Sequence, residues 1–296
     1  ALRAFLGSGH TSRAGDYKDT VRRAENWLLA AQKRGGARYR EKGRFERCMY
    51  TQGIAALALA EACGMEDSPP AMKAAAQDAV DVIVKAQGPY EGWNYTAKKA
   101  AGRNDTSVTG WNLMALKSAR IAGLSVDGSA FQGCMRWLDA ATNVKNGRCS
   151  YAGPVATVKP GRGSHAMWAA GMLMRQFMGV DRRDPILVAA GKSIGEHPPV
   201  WGPGDAGVDL YYWYYGTLCS FQQGGALWTR WNTHMKKALL ENQREGGPLD
   251  GTAADVDGSW NPVGRGGIPR GGRVFSTALA ALSLEVYYRY LPMYSK

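Results

Sequence analysis

The sequence predicts an all-α fold in which helical hairpins close into an α/α toroid of alternating inner and outer helices. Six stretches rich in small and apolar residues recur along the chain, and five amphipathic segments lie between them. A helix that is apolar nearly all round has neighbours on every side, whereas an amphipathic helix keeps one wet face. The first kind therefore predicts six inner helices, and the second kind predicts five outer helices.

The six inner segments share a common ending. The first five end at a glycine, which is the usual residue just past a helix end because it accepts a positive φ. We therefore expect Gly7, Gly64, Gly123, Gly179 and Gly224 to terminate helices. The inner segments span residues 1–7, 50–64, 105–123, 164–179, 209–224 and 273–291.

The outer segments show a period of 3.6 residues. In the second of them, Ala76, Val80 and Ile83 fall on one face, and Lys73 and Asp81 fall on the other. The fourth begins at Asp184–Pro185, a favourable helix start. The outer segments span residues 16–32, 70–87, 129–143, 184–197 and 226–243.

Six inner helices predict a sixth outer helix, which would precede Ala1. We therefore expect residues 1–296 to be a single toroid domain from the C-terminal part of a longer protein. An upstream segment or another subunit should cover the first inner helix, and without it Leu2, Phe5 and Leu6 should be partly exposed.

Composition excludes several functional classes. The formal net charge is +12, but the basic residues are dispersed and no nucleic-acid-binding motif occurs. No apolar run is long enough to span a membrane. The five cysteines and four histidines have no metal-ligand spacing, so we expect no metal and no cofactor. Cys134 and Cys149 flank a short loop, which leaves open a disulfide between them.

An aromatic run, "DLYYWYYG" at 209–216, points rings in every direction. An inner helix can accommodate this, because it has helices on both sides and behind and a cavity in front. At least one tyrosine hydroxyl should reach that cavity, since buried hydroxyls are seldom left unpaired. The predicted cavity lining comprises Trp111, His165, Trp168, Tyr211, Tyr212, Tyr215 and Phe275.

The loops after the outer segments carry a degenerate motif. Gln87 is followed by Gly92 and Trp93, and Gln243 is followed by Gly258 and Trp260. Gln32, followed by Gly36 and Tyr39, is a weaker match. The pattern resembles the Gln–Trp repeat of the squalene cyclases and of the wider prenyltransferase/squalene-oxidase repeat group. The resemblance covers essentially the whole chain, which looks like a bacterial branch of the group. It implies an α/α toroid in which Gln87, Trp93, Gln243 and Trp260 are structural.

The catalytic motifs of that group are missing. The nearest match to its Asp-x-Asp-Asp acid is residues 255–258, where glycine replaces the last acid. No Asp-x-Cys zinc motif and no D-D-x-x-D run occurs. Asp105, Asp209 and His165 remain weak catalytic candidates, because each aspartate is also a natural helix N-cap and a lone histidine is usually a packing residue.

These observations favour a non-catalytic binding or structural domain. Its aromatic cavity would suit a hydrophobic ligand, a peptide or a glycan. The alternative is an enzyme of the terpenoid cyclase/prenyltransferase class, or a carbohydrate-active toroid, with an unfamiliar catalytic set. A third possibility is a scaffold domain of a larger, envelope-associated protein; the sequence itself does not determine the compartment.

Overall fold

The computed structural model describes residues 1–65, 68–88, 91–97, 103–157, 164–246, 257–264 and 268–289. Over these ranges the chain forms twelve α-helices and no β-strand, which confirms the predicted all-α class. The helices are α1 Leu2–Gly7, α2 Lys18–Tyr39, α3 Met49–Met65, α4 Pro70–Ala86, α5 Thr106–Ile121, α6 Gly128–Ala141, α7 His165–Phe177, α8 Pro185–Gly195, α9 Leu210–Gln223, α10 Gly225–Leu240, α11 Ile268–Leu284 and α12 Val286–Arg289.

Six helices, the inner helices, contact one another in a cycle. α3 contacts α1 and α5, α7 contacts α5 and α9, and α11 contacts α9 and α1. The first predicted inner segment therefore lies beside the second and the sixth, as expected. The inner helices are α1, α3, α5, α7, α9 and α11.

The outer helices pack against the junctions between inner helices. α2, α4, α6 and α8 each contact both inner helices that flank them in the chain, and α10 contacts α9. The sequences of the inner and outer helices explain why the two kinds occupy different positions. Every residue of α5 from Thr106 to Leu116 is buried, whereas α4 buries Met72 and Ile83 and leaves Lys73 exposed.

The predicted helix ends are partly correct. The Asp184 side chain accepts a hydrogen bond from the backbone N–H of Ile186 at 2.8 Å, so this residue caps α8. Gly123, Gly179 and Gly224 have positive φ at the ends of α5, α7 and α9. α1 ends at Gly7, as predicted, but Gly64 lies inside α3, so that predicted terminator is wrong.

The second helix is longer than predicted. α2 continues past Gln32 to Tyr39 and ends where Arg40 adopts a left-handed conformation. Gly36 lies within this helix, so the expected repeat loop at Gly36 and Tyr39 is wrong. Glycine inside a helix costs only about 1 kcal/mol, which packing of the buried face readily offsets.

The first helix is more buried than expected. Leu2 and Leu6 are 7% and 1% exposed, which contradicts the prediction that both are partly exposed. They form a small apolar cluster with Val21 of α2 and Ala62 of α3. Phe5, on another face, is partly buried as predicted.

Buried charges hold α1 in place. Arg3 donates two hydrogen bonds to the Glu61 carboxylate of α3 and a third, at 3.0 Å, to the Tyr214 hydroxyl of α9. Arg289 of α12 also pairs with Glu61, and Ser8 donates to Glu285 at 2.9 Å. α1 is thereby bound to α3 and α9.

Within the described residues, every helix is too short or too polar to cross a membrane.

Candidate functional site

Two tryptophans occupy matching positions before inner helices. The Trp93 indole N–H donates to the Ile83 carbonyl at 2.8 Å, and the Trp260 indole N–H donates to the Leu239 carbonyl at the same distance. Each acceptor lies four residues before the glutamine of its repeat. Both tryptophans are buried, at 0% and 3% exposure, as the Gln–Trp spacing predicts.

The glutamines of the repeat also make matching contacts. The Gln87 amide donates to the Glu91 carbonyl, two residues before Trp93, and the Gln243 amide donates to the Gly258 carbonyl, two residues before Trp260. In the first repeat, the Gln32 amide donates to the Gly43 carbonyl at 3.4 Å. The residue equivalent to tryptophan is therefore Phe45 rather than Tyr39.

These junctions position two further tyrosines. The Tyr95 carbonyl, two residues after Trp93, accepts a hydrogen bond from the backbone N–H of Met49, the first residue of α3. In the same way, the Tyr151 carbonyl accepts from the backbone N–H of Thr106, the first residue of α5. Tyr95 and Tyr151 are thus equivalent positions in successive repeats, and their hydroxyls lie 2.8 Å apart.

The two tyrosines form the exposed end of a larger group, the aromatic row. Tyr95 stacks nearly parallel to Tyr50 with ring centroids 6.1 Å apart, and Tyr50 contacts Trp111 at 6.2 Å. Trp111 in turn contacts Tyr211 and Tyr215 of α9 at 6.3 and 5.7 Å. The aromatic row comprises Tyr151, Tyr95, Tyr50, Trp111, Tyr211 and Tyr215.

The exposure of the aromatic row falls from one end to the other. Tyr151 and Tyr95 are 40% and 37% exposed, whereas Trp111 and Tyr215 are buried. In the described part of the chain, the Trp111 indole N–H and the hydroxyls of Tyr211 and Tyr215 make no hydrogen bond of normal geometry. Buried polar groups without partners are rare, and they usually mark water or a ligand.

The aromatic row is electrically neutral. Burial raises the pKa of Tyr50 to about 12 and raises the pKa values of Tyr211 and Tyr215 well above 10. Burial, and then the Tyr95 hydroxyl, raise the pKa of Tyr151. All four phenols are therefore protonated at neutral pH, and each presents both a hydrogen-bond donor and an acceptor.

A charged pair borders the aromatic row. Arg103 donates to Asp105 at 2.6 Å, and the Asp105 side chain is fully buried. It makes no hydrogen bond to the α5 backbone, so the N-cap expected there is absent. Asp209, by contrast, accepts from the Tyr212 backbone N–H at 2.9 Å and caps α9 as expected.

Three of the predicted cavity residues lie together elsewhere. His165 contacts Trp168 at 4.7 Å and Tyr212 at 5.3 Å, and the His197 ring lies 4.1 Å from it. The Tyr212 hydroxyl donates to the His197 carbonyl at 2.8 Å. The structure therefore separates these residues from Trp111, Tyr211 and Tyr215.

Phe275 lies in a third environment. It lines an apolar groove of about 430 Å³ between α3 and α11, which Trp111 also borders. Trp111 is thus the one residue shared by this groove and the aromatic row.

The other reactive side chains form no site. All five cysteines are free, so Cys134 and Cys149 do not pair. Burial raises the pKa of the Cys134 thiol, which disfavours the reactive thiolate. The described residues contain no group of three or more His, Cys, Asp or Glu side chains placed to hold a metal.

Three members of the aromatic row were missed in the sequence. Tyr95 and Tyr151 follow Trp93 and Cys149 by two residues, in "GWNY" and "GRCSY". That shared offset was the available signal, but Cys149 stands where the motif has tryptophan. Tyr50 carries no motif, and only the packing of α3 against α5 brings it to Trp111.

No protein-family model matches this chain, and no match was found among curated proteins.

Proposed function

We propose that this protein is an α/α toroid of the squalene cyclase-like repeat group that binds a neutral glycan, without catalysis, through the aromatic row. The observation that carries the proposal is the aromatic row itself. It combines two partly exposed tyrosine rings with buried donors that make no hydrogen bond of normal geometry. The cycle of inner-helix contacts and the matching Trp93 and Trp260 junctions support the toroid.

The chemistry of a sugar fits both parts of the row. One face of a sugar ring carries C–H groups, which pack on an aromatic ring, and its edge carries hydroxyls, which donate and accept hydrogen bonds. Tyr95 and Tyr151 offer ring faces and hydroxyls at the exposed end, and the Ser107 hydroxyl lies 3.5 Å from that of Tyr95. A purely apolar ligand would remove water from the exposed hydroxyls of Tyr95 and Tyr151 and offer them no hydrogen bond beyond the one between them, which costs free energy.

The charge of the row favours a neutral ligand. The phenols are protonated at neutral pH, and Arg103 is already paired with Asp105. An anionic glycan would therefore meet little net positive charge here. Neutral polysaccharides with an accessible sugar face are the ligands that this surface suits best.

Affinity electrophoresis tests the proposal. The protein is run through gels containing soluble neutral polysaccharides, namely a β-glucan, an amylose, a galactomannan and a xylan. We expect at least one to retard the protein without being shortened. Tyr95→Ala and Tyr151→Ala should each weaken that binding by about tenfold, as expected for the loss of one aromatic contact.

The matched control is Tyr288→Ala, because Tyr288 is 83% exposed and lies outside the aromatic row. It should bind as the wild type does. Thermal melts should show all three variants folded. If none of the polysaccharides retards the protein, or if Tyr95→Ala and Tyr151→Ala migrate like the wild type, the proposed function is wrong.

A further inference from the structure

Two apolar grooves lie beside α1. The outer groove, of about 830 Å³, runs between α1 and α11. The inner groove is the one of about 430 Å³ that contains Phe275. Ala1 lines both grooves, so they meet at the N-terminal end of α1.

The walls of the outer groove have helical spacing. α11 contributes Val274, Thr277 and Ala281, and α1 contributes Ala4 and Phe5. Residues three and four apart share one helix face, so Val274, Thr277 and Ala281 form a continuous stripe. On the other wall, Ala4 and Phe5 lie three and four residues after Ala1, which also lines the groove. The small alanines leave space for the backbone of a packed helix at the usual interaxial distance of about 8–10 Å.

The inner groove has the same character. α3 contributes Ile54 and Ala58, and α11 contributes Phe275 and Leu279, each pair four residues apart. Trp27 of α2, which is 64% exposed, completes the wall. Exposed apolar surface of this kind commonly marks a contact with another element.

Four equivalent surfaces of the molecule are covered by helices. The junction of α3 and α5 is covered by α4, which buries Met72, Val80 and Ile83 against them. α2, α6 and α8 cover the corresponding junctions beside them. Among the described helices, none covers the junction of α11 and α1.

We propose that a helical hairpin of the same polypeptide, encoded ahead of residue 1, fills both grooves. Its first helix packs into the outer groove with an apolar face like that of α4. Its second helix continues directly into α1 and fills the inner groove between α3 and α11. The hairpin thus supplies the outer helix that the junction of α11 and α1 lacks among the described residues.

Chain order identifies the source of this hairpin. α2, α4, α6 and α8 each precede the next inner helix along the chain. By the same order, the helix over the junction of α11 and α1 is followed by α1, whose first turn borders both grooves. A second copy suits the site poorly, because each of its five outer helices is already packed against its own inner helices and none is free to enter the groove.

Cysteine labelling tests this proposal independently of glycan binding. Val274→Cys reports on the outer groove, and Ile54→Cys reports on the inner groove. Val144→Cys, at a position 65% exposed and outside both grooves, is the control. Each is made in a Cys48→Ser background, because Cys48 is the one native cysteine that is not buried. Maleimide labelling rates are compared between residues 1–296 and the full polypeptide encoded by the gene.

We expect the full polypeptide to label at least tenfold more slowly at both groove positions, at every protein concentration, with Val144→Cys unchanged. Equal rates in the two forms, or a gene that encodes nothing ahead of residue 1, would overturn the proposal. Slowing that disappears on dilution would assign the grooves to a second copy and overturn it too. Protection of Val274→Cys without Ile54→Cys would rule out the continuous second helix.

Discussion

Arg3 and Glu61 form an ion pair with two hydrogen bonds: Nε and Nη2 of Arg3 each donate, over 2.8 Å, to a different oxygen of the Glu61 carboxylate. The two side chains are 5% and 13% exposed. The pair joins α1 to α3, and Arg289 of α12 binds the same carboxylate.

Removing the charge of Glu61 should destabilise the fold. Glu61→Gln leaves Arg3 and Arg289 buried without their carboxylate, which should lower the free energy of unfolding by about 3 kcal/mol. The measurement is urea unfolding. Asp19→Asn is the control, because its pair with Arg22 is exposed and should contribute less than about 1 kcal/mol. Equal stability of the two variants would contradict the structural role of the pair.

Glu61 and Glu285 should affect acid stability in opposite directions. Burial would raise the pKa of Glu61, but Arg3 and Arg289 outweigh it and hold that pKa below the usual value. Burial raises the pKa of Glu285. Glu61 therefore stabilises the fold at pH values above its pKa in the unfolded chain, about 4.3. This stabilisation is lost as the pH falls through the lower pKa of Glu61 in the folded protein. The contribution of Glu285 is present below that unfolded pKa and is lost as pH rises through its folded value.

Melting temperatures measured across pH 3–7 separate these two effects. Glu61→Gln should flatten the loss of stability on acidification. Glu285→Gln should instead remove the loss of stability that the wild type shows as pH rises. Identical pH profiles for the two variants would show that the assigned directions are wrong.

Each repeat tryptophan should be needed for stability. Trp93→Ala and Trp260→Ala each remove a buried indole and its hydrogen bond to an outer-helix carbonyl. We expect a loss of about 3–5 kcal/mol for each, as for other large buried aromatic residues. The control is Trp27→Ala at an exposed position. Unchanged thermal melts for both buried variants would argue against a structural role.

Gly216 should not tolerate a side chain. A Cβ at this position would lie 2.3 Å from ring carbons of Trp231 on the outer helix α10. Gly216→Ala should therefore cost about 1–3 kcal/mol by overpacking. Gly128→Ala, where a Cβ meets nothing within 4 Å, should be neutral or stabilising. Comparable denaturation midpoints for Gly216→Ala and Gly128→Ala would contradict the close approach of Gly216 to Trp231.

Two tyrosine hydroxyls of α9 should have different roles. The Tyr211 hydroxyl has no hydrogen-bond partner of normal geometry, so Tyr211→Phe should leave stability unchanged and weaken glycan retardation. The Tyr212 hydroxyl donates to the His197 carbonyl, so Tyr212→Phe should cost about 1 kcal/mol and leave glycan binding intact. Affinity electrophoresis and thermal melts together distinguish the two. Glycan retardation of Tyr211→Phe equal to the wild type would remove Tyr211 from the proposed site.

Helix type and order could be predicted from the sequence alone. The pattern of apolar residues distinguishes α4 from α5. A helix with one buried face carries polar side chains on the opposite face, whereas a fully buried helix carries small or apolar side chains there too. The spacing of Gln87 and Trp93 likewise predicted a buried junction, because it resembles the Gln–Trp repeat, in which both residues are structural.

Only the tertiary structure decided which side chains meet. Tyr211 and Tyr212 are adjacent in the aromatic run, yet Tyr212 packs beside His165 and Tyr211 packs against Trp111, because a helix turns about 100° per residue. Tyr50 and Tyr95 come from different elements, and the backbone hydrogen bond from Met49 to Tyr95 holds that loop beside α3. Contacts between distant elements depend on how the helices pack, and the local periodicity of the sequence does not predict them.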